Sequence, residues 1–106
     1  MQEQKLVPVP LFSTDRFGKG LALDGDRAMI GAWGAGGVTG AAYYYFREDG
    51  VWTRKQRIQA LNNKSNEYFA LSIALAGDRA LFAAPGHQSA TLGGCVYWFA
   101  LVGPNW

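Results

Sequence analysis

Short apolar segments separated by turn residues recur along the chain. In the first half they occupy residues 20–23, 27–33, 41–48 and 51–60. The second segment is apolar at successive positions and the third is rich in tyrosine, which predicts strands that are buried on both faces. The fourth segment is charged instead, as is typical of an exposed edge strand. The pattern predicts a four-stranded antiparallel sheet.

Glycine and aspartate mark the turns between these segments. Residues 24–27 read Asp-Gly-Asp-Arg and residues 76–79 read Ala-Gly-Asp-Arg. Each predicts a tight hairpin, because glycine accepts positive φ and aspartate hydrogen-bonds to its own backbone. The longest helical candidate, residues 70–76, alternates like a strand and stops at Gly77. We therefore predict an all-β chain without helix.

The chain contains an internal repeat with a period of 52 residues. Between residues 15 and 34, nine of the twenty positions are identical 52 residues later, where about one identity is expected by chance. One residue inserted in the following loop then aligns Tyr44 with Tyr97, and a second insertion aligns Trp52 with Trp106. The chain therefore holds two similar units, at about residues 11–60 and 61–106.

The N-terminal residues align with the fourth strand of the unit. The 52-residue shift places Gln4, Lys5 and Leu6 on residues 56–58. Because Trp106 aligns with Trp52, Met1 would continue the unit directly after Trp106, without a gap. We therefore expect the second unit to be closed by residues 1–10 of a neighbouring chain.

Antiparallel units of about 50 residues that are buried on both faces are typical of β-propeller blades, and propellers use about four to eight blades. Two blades alone would expose an apolar face at each end, which is worth on the order of 10 kcal/mol per face. We predict head-to-tail association into a closed ring. Gln4, Lys5 and Leu6 of one chain would then meet Trp106 of the next. A trimer with six blades is favoured over a tetramer with eight.

The order of these motifs resembles the FG-GAP repeat family, which forms the β-propeller of integrin α chains. Phe17-Gly18 matches the name-giving pair, and Phe69-Ala70 is its second copy. Residues 31–33 and 83–85 resemble the Gly-Ala-Pro element. The resemblance implies a propeller fold, a binding or interaction function and an extracellular or cell-surface location. The polar N-terminus shows no signal peptide.

Composition limits the classes of function. The chain is 49% apolar with a net charge of +2, which excludes a disordered chain, and no apolar run approaches the ~20 residues of a membrane span. One cysteine, Cys95, permits no internal disulfide. The basic residues 54–57 lie on the predicted edge strand, where alternating charge serves solubility better than nucleic-acid binding.

Candidate ligand-binding residues lie in the loops after the second strand of each unit. They are Trp33, His87, Gln88 and Ser89. An indole beside polar side chains would suit stacking on a sugar, and the alternative for Trp33 is packing between the blades. The family's calcium loop coincides with the hairpins at residues 24–26 and 76–78, which hold too few carboxylates for a metal site. We expect neither metal nor cofactor.

No arrangement of nucleophile, base and orienting group is present, so we do not expect an enzyme. The sequence favours a non-catalytic β-propeller module that binds other molecules after assembling into a ring. One alternative is a lectin with sites in the two loops, for which a glycan would be the partner. The other is an engineered or fragmentary propeller scaffold without a ligand.

Overall fold

The computed structural model describes residues 3–8, 14–60, 67–86 and 93–106. Within these ranges the chain forms two antiparallel sheets and one short helix. The first sheet contains β1 (Phe17–Asp24), β2 (Arg27–Ala32), β3 (Ala41–Glu48) and β4 (Val51–Ile58). The second contains β5 (Ile73–Ala76), β6 (Arg79–Ala84) and β7 (Cys95–Ala100), and the helix α1 is Ala35–Val38.

The predicted all-β architecture is confirmed. The first sheet has the predicted four antiparallel strands, and the charged strand β4 is at its edge, as expected. The second sheet has three strands among the described residues, in the order β5-β6-β7. The prediction of a chain without helix was wrong at residues 35–38, where one helical turn ends with Gly40 N–H donating to the Ala35 carbonyl at 2.9 Å. A single turn of small residues leaves no periodicity to read.

The two predicted hairpins are confirmed. Asp24 pairs with Arg27 and Ala76 with Arg79, so each turn consists of two residues. The glycines at the first turn position, Gly25 and Gly77, both have φ of 58°, a conformation that favours glycine. The turns therefore form for the reason that the sequence indicates.

In the third strand of each sheet, the structure relates the two units by a different offset from the one that the sequence alignment gives. Ile30 pairs with Tyr43 in the first sheet and Phe82 pairs with Tyr97 in the second. Tyr97 is therefore the structural counterpart of Tyr43 and not of Tyr44, so the offset is 54 residues from β3 onward. A one-residue slip moves every side chain to the opposite face of a strand. Below, counterpart means the residue at the same position in the other sheet by this pairing.

The two sheets pack face to face around one apolar cluster. It joins one face of each sheet and consists of Met29, Ala42, Tyr44, Ile58, Ala60, Phe69, Ala70, Ala80 and Phe82. Phe69 is fully buried and stacks on Phe82 at 5.1 Å between ring centroids. A Cβ at Gly31 would clash with the Ala70 carbonyl, so glycine permits the close approach of the sheets.

Candidate functional site

A side-chain amide joins the two sheets at their outer rim. Gln56, on β4, donates from Nε2 to the Trp106 carbonyl at 3.2 Å and accepts from Trp106 N–H through Oε1 at 2.8 Å. The Trp106 ring also meets the Tyr44 ring edge-on at 5.6 Å between centroids. We call these two hydrogen bonds of the Gln56 side-chain amide the Gln56 clamp. It ties the edge strand of the first sheet to the backbone that follows β7 in the second.

The N-terminal segment, defined here as residues 3–8, repeats this clamp on the first sheet. Gln4 donates to the Trp52 carbonyl at 3.0 Å and accepts from Trp52 N–H at 2.9 Å. Leu6 packs against a second apolar cluster, which lies on the outer face of the first sheet and is separate from the one between the sheets. The N-terminal segment therefore lies against the first sheet as β4 lies against the second. It makes no strand pairing with the described residues.

The contact of Gln4, Lys5 and Leu6 with Trp106 of a neighbouring chain stays a prediction, and within one chain these two groups of residues lie apart. Gln4 contacts Trp52 of its own chain, and Trp106 is bound by Gln56. Lys5 is exposed at the surface. The N-terminal segment and the residues that follow β7 thus use the same type of contact, but on different sheets.

The outward face of the second sheet carries three exposed apolar side chains. Their exposed fractions are 44% for Leu81, 60% for Val96 and 62% for Trp98. Their counterparts in the first sheet are covered by the second sheet and have exposed fractions of 0% for Met29, 0% for Ala42 and 4% for Tyr44. The second unit therefore exposes apolar residues at three positions that the first unit buries against the sheet that follows it.

The hairpin carboxylates contribute to structure. Asp24 accepts a hydrogen bond from Gly77 N–H at 2.5 Å and so links the hairpins of the two sheets. Asp26 forms an ion pair with Arg47 at 2.8 Å, and Arg47 N–H donates to the Asp26 carbonyl at the same distance. Both aspartates of the hairpin at residues 24–26, where the family's calcium loop would lie, thus make contacts within the protein.

A cavity of about 540 Å³ opens on the outer face of the first sheet, where sequence reasoning had found no site. Asp15, Tyr43 and Arg57 are among its lining residues. Arg57 Nε donates to the Tyr43 hydroxyl at 3.2 Å, while Asp15 is only 6% exposed. The sequence signal was present, since an acidic residue stands two positions before the phenylalanine of each repeat.

The second unit contains the counterparts of this acid and this tyrosine. Glu67 is 2% exposed, and its Oε2 lies 3.4 Å from the Tyr97 hydroxyl. Burial raises the pKa of Tyr97 above its ordinary value of 10.0, and the neighbouring Cys95 and Glu67 raise it further. The phenol therefore remains protonated and keeps its ability to donate a hydrogen bond through the neutral pH range.

The predicted ligand-binding residues fall into two groups. Trp33 is half-buried and meets the Tyr68 ring edge-on at 5.4 Å, with the Arg16 guanidinium 6.0 Å from the indole. Trp33 therefore contacts Tyr68 of the second unit. His87, Gln88 and Ser89 lie outside the described residues. Sugar binding at these loops stays a prediction.

Comparison with known proteins identifies the repeat in the first part of the chain. Residues 1–45 match the family profile of the FG-GAP repeat, which confirms the resemblance over that range. The match takes in the N-terminal segment together with β1, β2 and most of β3. No curated protein matches the chain. Among the described residues, no helix has the length and apolar character that crossing a membrane requires.

The Gln56 clamp predicts a measurable loss of stability on substitution. Gln56→Leu keeps the size of the side chain but leaves the Trp106 N–H and carbonyl without their partner. We expect the free energy of unfolding to fall by about 1–3 kcal/mol, measured by urea denaturation at one fixed protein concentration. Gln59→Leu, at an exposed position just beyond β4, is the control and should unfold like the unmodified chain. Equal midpoints for both variants would contradict the clamp.

Proposed function

We propose that this chain assembles head to tail with copies of itself into a closed ring. Residues 1–45 match the FG-GAP repeat profile, which suggests a β-propeller-type interaction module. The proposed function is non-catalytic. Binding of further molecules would take place on the assembled ring, which presents each loop of the chain several times.

One observation carries the proposal. The Gln4 contact with Trp52 repeats the Gln56 contact with Trp106, atom for atom and within 0.2 Å in each hydrogen bond. Gln56 belongs to the fourth strand of the sheet that precedes Trp106. By the same geometry, Gln4 belongs to the fourth strand of a sheet that precedes the first one. The other three strands of such a sheet would be β5, β6 and β7 of a second copy.

The outward face of the second sheet supports the same arrangement. Leu81, Val96 and Trp98 occupy the positions of residues that a following sheet buries in the first unit. The first sheet of the next copy would cover them, with the N-terminal segment added at the edge of β7. Burying these side chains favours association because it removes apolar surface from water.

The repeat number sets the size of the ring. Each copy contributes two sheets, so three copies give six sheets and four give eight, both within the range of about four to eight that propellers use. We propose the trimer. The contact is heterologous, since the N-terminal segment of one copy meets β7 of the next, and it closes only by rotation about a common axis.

Removing residues 1–7 tests the proposal. The truncated chain should have the mass of one copy by light scattering and should keep its β-sheet signal in circular dichroism, because no described strand is removed. A second variant replaces residues 1–7 by an equally long Gly-Ser sequence and should behave in the same way. If either variant retains the mass of the unmodified protein, the N-terminal segment does not join the copies.

A further inference from the structure

The first unit contains an acid, a tyrosine and a base around one cavity, and the base comes from the edge strand. Asp15 supplies the buried carboxylate and Tyr43 the ring. Arg57, on β4, places its guanidinium 5.9 Å from the Tyr43 ring centroid and donates to the hydroxyl. In the sheet, Tyr43 and Arg57 are directly opposite each other on neighbouring strands. The edge strand thus brings a cation to the cavity that the buried acid also lines.

In the second unit the acid precedes β5 and the tyrosine is on β7, while the residue aligned with the base is on the N-terminal segment. Glu67 and Tyr97 are the counterparts of Asp15 and Tyr43, and they lie together. The residue that corresponds to Arg57 is Lys5, on the N-terminal segment of the chain. A second copy can supply that segment to β7. The cluster would then be completed by a residue of the partner copy.

The pairing of β3 with β4 defines how the segment would add to β7. Ala42 is opposite Ile58, Tyr43 opposite Arg57 and Tyr44 opposite Gln56. The counterparts of these pairs are Val96 with Leu6, Tyr97 with Lys5 and Trp98 with Gln4. We propose that residues 4–6 of one copy add to β7 of the next as an antiparallel strand in this register, and that Lys5 thereby pairs with Glu67. This inference rests on the proposed function.

The acid and the base aligned with it have complementary lengths in the two units. The first unit combines the shorter acid, Asp15, with the longer base, Arg57. The second combines the longer acid, Glu67, with the shorter base, Lys5. The longer acid is thus combined with the shorter base, so that the summed length of the acid and base side chains is similar in the two units. This combination also gives the contact a direction, because a buried carboxylate on one partner selects a cation on the other.

A mixed disulfide tests the register. One chain carries Leu6→Cys, a second carries Val96→Cys, and both carry Cys95→Ala to remove the native thiol. Residues opposite each other in an antiparallel pair have Cα atoms about 4.5–5.5 Å apart, which lies within the range of disulfides. Oxidation of the mixture should give a covalent pair on a non-reducing gel. Val7→Cys mixed with Val96→Cys is the control and should stay unlinked, because adjacent residues face opposite sides of the sheet.

The outcomes separate the register from the assembly. Linkage through position 6 supports the inference. Linkage of the position 7 control instead, or no linkage between chains that light scattering shows to be assembled, overturns it and leaves the proposed function standing. Chains that remain single before oxidation overturn both.

Charge reversal tests the ion pair. Lys5→Glu should raise the dissociation constant of the assembly by at least about tenfold, since it places two carboxylates together in a buried site. Lys55→Glu makes the same change at an exposed rim position, where the aligned residue of the N-terminal segment is Glu3. That control should change the constant by less than about twofold. Equal effects of the two variants would overturn the pairing of Lys5 with Glu67.

Discussion

Replacing Trp98 by glutamate is expected to convert the assembled protein into folded single chains. In one chain the Trp98 side chain is 62% exposed, so a carboxylate there remains in water and costs the fold little. In the proposed ring the same position would be covered, as Tyr44 is in the first sheet at 4% exposure. Burying an unpaired carboxylate costs several kcal/mol, which is comparable to the free energy that a contact between two copies would supply. Light scattering should show the mass of one copy, 11.5 kDa, with an unchanged circular dichroism spectrum.

Two control variants for this experiment follow from the repeat itself. Trp98→Tyr introduces the residue that the first sheet has at this position, and Val102→Glu introduces the counterpart Glu48 at a hairpin that is 75% exposed. Both should retain the mass of the unmodified protein. If Trp98→Glu also retains that mass, the outward face of the second sheet is not the contact surface.

Replacing Phe69 by alanine is expected to remove a large part of the free energy of unfolding. Phe69 is fully buried, and its ring meets those of Phe82, Tyr97 and Phe99 at 5.1 to 6.2 Å between centroids. Truncation of such a ring costs about 3–5 kcal/mol. A domain of this size is stable by only about 5–15 kcal/mol, so this loss is a large part of the total. The urea midpoint in the Trp98→Glu background, where each chain is single, measures the loss.

Phe17→Ala in the same background is the matched comparison. Phe17 is the counterpart of Phe69 but is half-buried, with one close ring partner, Tyr43, at 5.7 Å. It should therefore cost less than half as much as Phe69→Ala. Equal losses for the two variants would show that the apolar cluster between the sheets is not the main source of stability.

The strands could be predicted from the sequence because each is bounded by residues with defined turn geometry. Residues 41–48 were predicted and observed with identical bounds, and both Gly-Asp hairpins form two-residue turns. The charged composition of β4 correctly indicated a sheet edge. In these places local backbone preference and the apolar pattern favour the same structure.

The register of the third strand could not be predicted in the same way. Residues 43–46 are all aromatic, so an offset of 53 or of 54 residues places an aromatic ring on Tyr97. Only the pairing of Ile30 with Tyr43 and of Phe82 with Tyr97 decides between them. That pairing depends on contacts between strands, which a comparison of the chain with itself does not contain.

For the candidate site, the sequence indicated which residues correspond to each other but not what they contact. The alignment of Gln4 with Gln56 and of Trp52 with Trp106 identified the residues of the clamp, but not that a side-chain amide binds a backbone in both places. The cluster of acid, tyrosine and base was missed. Its members lie on three separate elements, and only the fold brings Asp15 to the cavity beside β3 and β4.

The solution mass of the unmodified chain tests the central claim most directly. Light scattering over a range of protein concentrations should give three times 11.5 kDa, with dissociation only on dilution. A mass of 11.5 kDa at every concentration, from a chain that circular dichroism shows to be folded, would contradict assembly through the N-terminal segment and the face of Trp98.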